Sequence, residues 1–496
     1  MKKFLLLIVA LFISTTFILT GCGDKGLKDS PSAESATISN GGLAVTKGDY
    51  LYYVNGFKSY EGLVKDKDNV WGNQVIGSIY RVKLSNNAIA HNSDGFLEKS
   101  EVVIPQIVGT ENACFYIFGS YIYYATPNMQ VDEYGNLLNV RSNICRANIN
   151  GTDNKVLYTT DQTLLSLNWT MFELDGKVYV VMLDGTKLIS INADAKKPET
   201  TVMANNVTSA GLIKTDKHIP TDNYYNSTST IDGVNNYVYY TRDITADDNL
   251  GGLGGNYFAR VKLGTSKEEK VATNGNTYAI TEAKNGCLYY NRTRSGSSIA
   301  TLCKYTLASE RSHNATRETE ISNVSYTYSY MLNANSENYV GADMVAVDSS
   351  NNIILISVVN NTKTTKTIYT GSTAVVPVGL YGSTLFFFEG TVINYIDVTA
   401  ITPQVKTVET NEKTLKVNSS ETKTNIVFDY DGRNVYYFAQ YTPNGGGEAN
   451  YYLNRTDLQA SEQKSEFVGV FADGHVPAEP EEDGDTDPEN DVPWIS

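Results

Sequence analysis

Three short runs decide the fold and follow one another closely: Ile122-Tyr123-Tyr124-Ala125-Thr126, Ile144-Cys145-Arg146-Ala147-Asn148-Ile149 and Lys155-Val156-Leu157-Tyr158. Each run is rich in β-branched and aromatic residues, and turn residues such as Asn150-Gly151 separate them. Such runs are typical of short, successive strands. Between residues 45 and 475, no apolar spacing of i, i+3, i+4 and i+7 persists over the length of a helix. The sequence therefore predicts an all-β chain.

The aromatic strand of this unit recurs along the chain, in steps of 41 to 71 residues. A turn residue, usually Gly or Asn, precedes most copies. The eight copies are Leu51-Tyr52-Tyr53, Ile122-Tyr123-Tyr124, Val178-Tyr179-Val180, Val238-Tyr239-Tyr240, Leu288-Tyr289-Tyr290, Met344-Val345-Ala346, Leu385-Phe386-Phe387 and Val435-Tyr436-Tyr437. Steps of this size are too short for separate domains and indicate one repeated small sheet.

A second strand follows most copies and carries a basic residue three positions before its closing aliphatic residue. The basic residues are Arg81, Arg146, Arg260, Lys304 and Arg455, and weaker copies of the strand occur at 188–191 and 353–356. Because one residue type recurs in one phase, we predict the same structural contact in each unit, such as an ion pair with a neighbouring strand. We also predict that the aromatic pairs form the core, since successive strand residues face both neighbouring sheets.

One further strand precedes each aromatic copy and another follows the basic one, so each unit has four strands. Four antiparallel strands repeating at about 40 to 60 residues are typical of a β-propeller, which buries each sheet against the next. We predict a single β-propeller over residues 42–473 with eight four-stranded blades. Seven blades are the alternative, because the step of 71 and the region 390–430 fit the period poorly.

The second unit, from Ile122-Tyr123-Tyr124 to Val156-Leu157, resembles the repeats of low-density-lipoprotein-receptor-type (YWTD-like) propellers and of bacterial TolB-like propellers. It is similar to repeats of uncharacterised clostridial surface lipoproteins. The resemblance covers residues 45–472 as a pattern and implies a propeller fold. Where the receptor family has Tyr-Trp-Thr-Asp, this chain has Tyr-Tyr with varied followers, so a receptor-like ligand is not implied.

The amino terminus has the pattern of a targeting segment. Met1-Lys2-Lys3 precedes an apolar run that is shorter than a membrane span and contains Ser14, Thr15 and Thr16. Leu19-Thr20-Gly21-Cys22 resembles the lipobox of bacterial lipoproteins, which implies a signal peptide over 1–21 and lipidation of Cys22. We expect 22–41 to be a flexible tether and the protein to be lipid-anchored at the cell membrane, facing outside the cytoplasm.

Net charge argues against nucleic acid as a partner. The chain has 40 basic and 55 acidic residues, for a net charge of −15, whereas phosphate contacts need a basic face. Residues 475–496 contain eight acidic residues and no basic one. We therefore predict an acidic, disordered tail over 474–496, and the remaining charge is ordinary for the size of the body.

Four cysteines remain beside Cys22. Cys114 and Cys145 fall on the first and third strands of one predicted sheet, too far apart for a disulfide, and we predict buried thiols there. Cys287 and Cys303 fall on adjacent strands, so a disulfide between them is left open.

Known catalytic and metal motifs are missing from the sequence. No serine has glycine at both the −2 and +2 positions, and the four histidines show no metal-ligand spacing. The Gly-rich stretch 251–255 lacks the Lys-Ser/Thr of a phosphate loop and is interpreted as a connection. The pattern Asp483, Asp485 and Asp487 has Pro488 where a calcium loop needs glycine. We therefore assign no catalytic residue, no metal and no cofactor.

The long connections are the remaining candidates for function. Exposed aromatic residues provide large contact area at low entropic cost, and the connections contain Trp71, Tyr134, Tyr224 and Tyr225. The leading hypothesis is a monomeric binding or protein-interaction module for an unknown protein or glycan. The alternatives are a surface hydrolase or lyase acting on glycans, with carboxylates in the propeller funnel, and a structural component of envelope assembly.

Overall fold

A computed structural model of the chain describes most of the repeat region and leaves gaps at several connections. The described residues are 27, 42–58, 77–91, 97–109, 114–128, 141–164, 166–174, 177–210, 231–232, 237–245, 255–272, 276–284, 287–306, 318–322, 326, 328–332, 342–359, 362–390, 392–409, 428–441 and 450–469. Within these ranges all regular structure is strand, and no helix there is long and apolar enough to cross a membrane.

The strands form eight antiparallel sheets, arranged as an eight-bladed propeller. The first four blades take the chain from residue 44 to 272. Blade 1 has β1 (Ala44–Lys47), β2 (Tyr50–Val54), β4 (Ile79–Lys83) and β5 (Glu101–Ile104), while β3 (Phe57–Lys58) leaves for blade 8. Blade 2 has β6 (Phe115–Phe118), β7 (Tyr121–Pro127), β8 (Ser142–Asn148) and β9 (Lys155–Thr160). Blade 3 has β10 (Trp169–Leu174), β11 (Lys177–Asp184), β12 (Lys187–Asn192) and β13 (Glu199–Ala204). Blade 4 has β14 (Val207–Ala210), β15 (Ile231–Asp232), β16 (Tyr237–Asp243), β17 (Asn256–Lys262) and β18 (Glu268–Ala272).

The other four blades follow the same order. Blade 5 has β19 (Thr277–Lys284), β20 (Cys287–Thr293), β21 (Ala300–Thr306) and β22 (Glu318–Ser322). Blade 6 has β23 (Tyr328–Met331), β24 (Met344–Val347), β25 (Asn352–Val359) and β26 (Thr362–Thr370). Blade 7 has β27 (Val375–Tyr381), β28 (Thr384–Glu389), β29 (Val392–Asp397) and β30 (Val405–Thr407). Blade 8 has β31 (Phe428–Tyr430), β32 (Asn434–Tyr441), β33 (Asn450–Asp457) and β34 (Ser465–Phe467). The predicted all-β class and the count of eight are confirmed, and every aromatic copy falls on the second strand of its blade.

First strands lie around the axis and fourth strands lie outside. First strands of adjacent blades contact each other: β14 contacts β19, and β23 contacts β27. The outermost β26 is exposed along most of its length. Equivalent connections therefore emerge at the same end of the ring, and we name the end where second strands pass to third strands the upper face.

Apolar clusters fill the junctions between blades, because each sheet buries both of its faces. Between blades 2 and 3, for example, the Trp169 indole lies edge-on to the Tyr116 ring, with 5.0 Å between ring centroids. The turn at Gly151 also fits closely against blade 1. Its φ is +84°, and a Cβ there would lie 2.5 Å from the Val103 carbonyl oxygen, so only glycine fits.

The ring closes between blades 1 and 8. Strand β3 pairs with the amino-terminal end of β33, and β34 pairs with the rest of the same edge. The His91 Nε2 lies 2.8 Å from the Phe467 carbonyl oxygen, and the Leu43 amide donates to Asp429 Oδ2 at 2.9 Å. Closure therefore joins the two ends of the repeat region.

The cysteine predictions have mixed outcomes. Cys114 directly precedes β6 and Cys145 lies on β8, so they flank the first and third strands of blade 2, and both are buried free thiols as predicted. The possible Cys287–Cys303 disulfide is not formed, because Cys303 is a free thiol. The register explains this result: Cys287 pairs with Thr306 and Cys303 with Tyr290, three residues along the strand and beyond disulfide reach.

Candidate functional site

The repeated tyrosines and basic residues meet inside the blades. The first aromatic residue of the pair lies directly opposite the basic residue on the next strand. The pairs are Tyr52 with Arg81, Tyr123 with Arg146, Tyr239 with Arg260, Tyr289 with Lys304, and Tyr436 with Arg455. In these five blades both tyrosines of each Tyr-Tyr copy, ten in all, are at most 2% exposed, so the predicted core role is confirmed.

Three of the buried arginines pair with a carboxylate directly opposite on the fourth strand. The nitrogen–oxygen distances are 2.8 Å for Arg81–Glu101, 2.8 Å for Arg260–Glu269 and 2.7 Å for Arg455–Glu466. The guanidinium carbon of Arg260 also lies 3.8 Å from the centre of the Tyr237 ring. These contacts confirm the prediction of a repeated ion pair with a neighbouring strand.

Two copies depart from this arrangement. Arg146 faces Lys155 instead of a carboxylate, and its Nη1 donates to the Ala193 carbonyl oxygen of blade 3 at 2.5 Å. Lys304 reaches Asp343 of blade 6, with 2.7 Å between Nζ and Oδ1. In these copies the basic residue joins adjacent blades.

The second tyrosine of each pair bonds to the outer part of its blade. Tyr53 Oη lies 2.5 Å from Ser100 Oγ, and Tyr240 Oη donates to Glu268 Oε2 at 2.6 Å. Burial raises the pKa of both hydroxyls above the ordinary value. These phenols therefore stay protonated at neutral pH and act as hydrogen-bond donors in the core.

Blades 4 and 5 share a constellation that the sequence reasoning missed. Arg242 pairs with Glu268, which also accepts from Tyr240, and fifty residues later Arg292 pairs with Glu318, which accepts from Tyr290. The signal was available in Tyr239-Tyr240-Thr241-Arg242 and Tyr289-Tyr290-Asn291-Arg292, since strand residues two apart share a face.

In blade 5 this constellation continues into an open cleft on the outer side of the ring. The cleft has a volume of about 380 Å³ and lies between blades 5 and 6. Its lining residues are Arg294, Ser297, Ile299, Thr301, Glu320, Ile321 and Lys363. The turn between β20 and β21 provides one wall, and β26 of the next blade provides Lys363. The cleft is therefore a product of tertiary structure.

Ion pairs hold the charged wall of the cleft in place. Arg294 Nη2 lies 2.5 Å from Glu320 Oε1, and the buried Arg292 contacts the same oxygen. Partial burial opposes ionisation of Glu320, but the two guanidinium groups outweigh it and lower its pKa. On the other wall, Lys363 Nζ lies 2.7 Å from Tyr326 Oη. The cleft thus combines fixed charges with hydroxyl groups.

The structure does not test the site residues predicted from the sequence. Cys22, Trp71, Tyr134, Tyr224 and Tyr225 all fall outside the described residues. Within the described ranges, no three His, Cys, Asp or Glu side chains are grouped as a metal site would require. The cleft between blades 5 and 6 is a candidate site formed by described residues.

Several solved structures are similar to this chain at low sequence identity. A prolyl endopeptidase structure shares 10% identity with a TM-score of 0.40, over 87% of this chain and 56% of that chain. TolB from Acinetobacter baumannii shares 12% identity with a TM-score of 0.27, over 59% of this chain and 65% of that one. A chain of the nidogen/laminin complex shares 10% identity with a TM-score of 0.29, over 61% and 96%.

This chain spans less than two thirds of the length of the first two structures. No protein-family model matches it, and the search of curated proteins found no match. At these identities and TM-scores the likeness carries no conclusion about function.

Proposed function

We propose that the chain is a lipid-anchored, extracytoplasmic β-propeller that binds a protein or glycan through its long connections. The sequence supports the anchor: a basic start, a short apolar run and the lipobox-like Leu19-Thr20-Gly21-Cys22. The stretch 23–41 between Cys22 and the propeller is rich in Gly, Ser and charged residues, as in a flexible tether.

The observation that carries the binding hypothesis is the use of the repeated residues. The tyrosine pairs are buried in the core and the repeated basic residues hold strands or blades together. The repeats therefore keep the scaffold rigid, and the parts that differ between blades are the connections. A rigid scaffold with variable connections is the usual arrangement of binding proteins.

The described strands define where the candidate connections begin and end. Segment 59–76, which contains Trp71, lies between β3 at the edge of blade 8 and β4 of blade 1. Segment 129–140, which contains Tyr134, lies between β7 and β8 on the upper face of blade 2. Segment 211–230, which contains Tyr224 and Tyr225, begins and ends on the innermost strand position of blade 4, between β14 and β15. Two distinct binding regions are thus proposed, the upper face and the inner edge of blade 4.

A cell-wall binding experiment tests the proposal and separates the two regions. The soluble protein, starting at residue 23, is sedimented with insoluble peptidoglycan that carries its wall polymers. We expect Trp71→Ala combined with Tyr134→Ala, or Tyr224→Ala combined with Tyr225→Ala, to lower the bound fraction about tenfold. Ile401→Ala is the matched control, because Ile401 is 94% exposed on the turn between β29 and β30.

Equal binding by all variants would contradict a role of these aromatic residues. Release of soluble glycan fragments during the assay would instead favour the hydrolase or lyase. For the anchor, Cys22→Ala should move the protein from the membrane fraction to the soluble fraction, and persistent lipid labelling of that variant would exclude lipidation at Cys22.

A further inference from the structure

Among the described residues at the cleft between blades 5 and 6, positive charges outnumber negative ones. Among the described residues around it, Arg292, Arg294 and Lys363 carry positive charge and Glu318 and Glu320 carry negative charge. The chain as a whole carries a net charge of −15. A locally positive cleft on an acidic protein attracts anions and disfavours cations.

The two carboxylates of the cluster are already engaged by arginines. Glu318 accepts from Tyr290 and pairs with Arg292, while Glu320 pairs with both Arg292 and Arg294. The Arg292 side chain is 9% exposed, whereas that of Arg294 is 65% exposed. The Arg294 guanidinium therefore keeps donors directed to solvent while Glu320 fixes its position, and a planar, fixed guanidinium suits carboxylate and phosphate oxygens.

Hydroxyl groups surround the cationic groups. Ser297 and Thr301 line the wall formed by blade 5. On the opposite wall, Lys363 lies next to Tyr326, with 5.2 Å between Nζ and the ring centre. Ile299, which is 61% exposed, adds an apolar surface at the turn. This mixture suits a ligand that carries one anionic group together with several hydroxyl groups.

We propose that the cleft between blades 5 and 6 binds an anionic, polyhydroxylated ligand, with Arg294 and Lys363 contacting its carboxylate or phosphate group. The hydroxyls of Ser297 and Thr301 bond to hydroxyl groups of the ligand. A volume of about 380 Å³ accommodates one sugar residue or one polyol phosphate. This site lies on the outer side of the ring between blades 5 and 6, whereas the connections proposed for binding are joined to blades 1, 2 and 4.

Ligand-observed NMR titration tests the proposal with three probes: glucuronate, glycerol 1-phosphate and the neutral sugar glucose. We expect glucuronate, glycerol 1-phosphate or both to bind the native protein, and glucose to bind at least tenfold more weakly. The better of the two anionic probes identifies whether the ligand is a uronate or a polyol phosphate. Failure of both anionic probes to bind would overturn the proposal.

Matched lysine variants locate the binding. Lys363 and Lys366 stand three positions apart on β26, opposite Val358 and Leu355, so their side chains leave opposite faces of the strand. Lys363→Met and Arg294→Met should each weaken binding of the anionic probe about tenfold, whereas Lys366→Met should leave it unchanged. Equal affinity of Lys363→Met, Arg294→Met and the native protein would overturn the proposal. Since all three positions are exposed, thermal unfolding should show that the variants remain folded.

Discussion

At the scale of single residues, the buried arginines illustrate how the repeat uses charge. Arg260 is 2% exposed, pairs with Glu269 and lies over the Tyr237 ring. A charge taken out of water requires a partner, and removal of one member leaves the other uncompensated. An arginine side chain therefore affects stability strongly where it is buried and weakly where it is exposed.

Replacing a buried arginine should therefore cost more than replacing an exposed one in a similar ion pair. Arg260→Met should lower the free energy of unfolding by about 3 kcal/mol, because it removes a buried ion pair with Glu269 together with the contacts to Tyr239 and the Tyr237 ring. Arg294→Met, whose pair with Glu320 is exposed to solvent, should lower it by less than about 1 kcal/mol. Urea unfolding of both variants checks this, and equal losses would contradict a core role of Arg260.

At the scale of elements, two junctions between blades are each stabilised by an acidic residue at the end of a second strand. Asp184, the last residue of β11, accepts from Tyr158 Oη at 2.6 Å and from Thr160 Oγ1 at 2.5 Å, both on β9 of blade 2. Glu389, the last residue of β28, accepts from Tyr369 of β26 in blade 6 and from the Ser372 amide. The two carboxylates occupy equivalent positions in blades 3 and 7.

These contacts favour the ionised carboxylates. For Asp184, burial alone would raise the pKa, but the hydrogen bonds from Thr160 and Tyr158 outweigh it and the pKa is lowered. For Glu389, the hydrogen bond from Tyr369 is the largest cause of the lowered pKa. The same bond is the main reason why the pKa of Tyr369 rises to about 12.

Stability should depend on pH accordingly. A folded-state pKa below the unfolded value stabilises the fold above the unfolded pKa, near pH 4, and this contribution is lost as pH falls through the folded pKa. Glu389→Gln should therefore be less stable than the native protein by about 1 kcal/mol at pH 7, and the difference should shrink below pH 4.

Asp153→Asn is the control for this series, because Asp153 pairs with Lys155 at the surface and both side chains are 47% exposed. Its stability should follow that of the native protein at every pH. The measurement is urea unfolding between pH 7 and 3, and a Glu389→Gln deficit that persists undiminished at pH 3 would show that the carboxylate charge is not responsible.

At the scale of the whole molecule, ring closure makes the two ends of the repeat region depend on each other. One apolar cluster contains Leu51 and Tyr52 of blade 1 together with Tyr436 and Leu453 of blade 8. Near it, Asn87 Nδ2 lies 3.1 Å from Asp457 Oδ2. Loss of either end blade would expose an apolar face of its partner.

Limited proteolysis tests this dependence. The native protein should yield one resistant core from about residue 42 to 473, because the blades share their junction clusters. A chain ending after Glu409, which lacks blade 8, should be degraded at least tenfold faster. Several separable fragments from the native protein, or a resistant seven-blade chain, would contradict a closed ring.

The sequence by itself determined the architecture. Runs of β-branched and aromatic residues, turn residues and a repeated aromatic pair specify strands locally, so eight units, a buried role for Tyr123 and a repeated structural contact for Arg81 could be predicted. The repeated basic residue of the third strand would not have identified blade 7. Its third strand β29 has no basic residue and places Tyr395 opposite Phe386. The aromatic copy at 385–387 nevertheless identified the blade.

Only the tertiary structure decided which residues meet across strands and blades. The register between two strands decides which side chains face each other, and a shift by one residue moves each side chain to the other face of the sheet. In the observed register Cys287 and Cys303 are three positions apart, so Cys303 keeps a free thiol. Lys363 and Glu320 are forty-three residues apart in sequence but line the same cleft, and Lys304 pairs with Asp343 of the next blade. Both contacts form because adjacent blades pack against each other. Contacts between blades depend on the packing of whole sheets, which no local spacing encodes, and the cleft between blades 5 and 6 is therefore visible only in the folded ring.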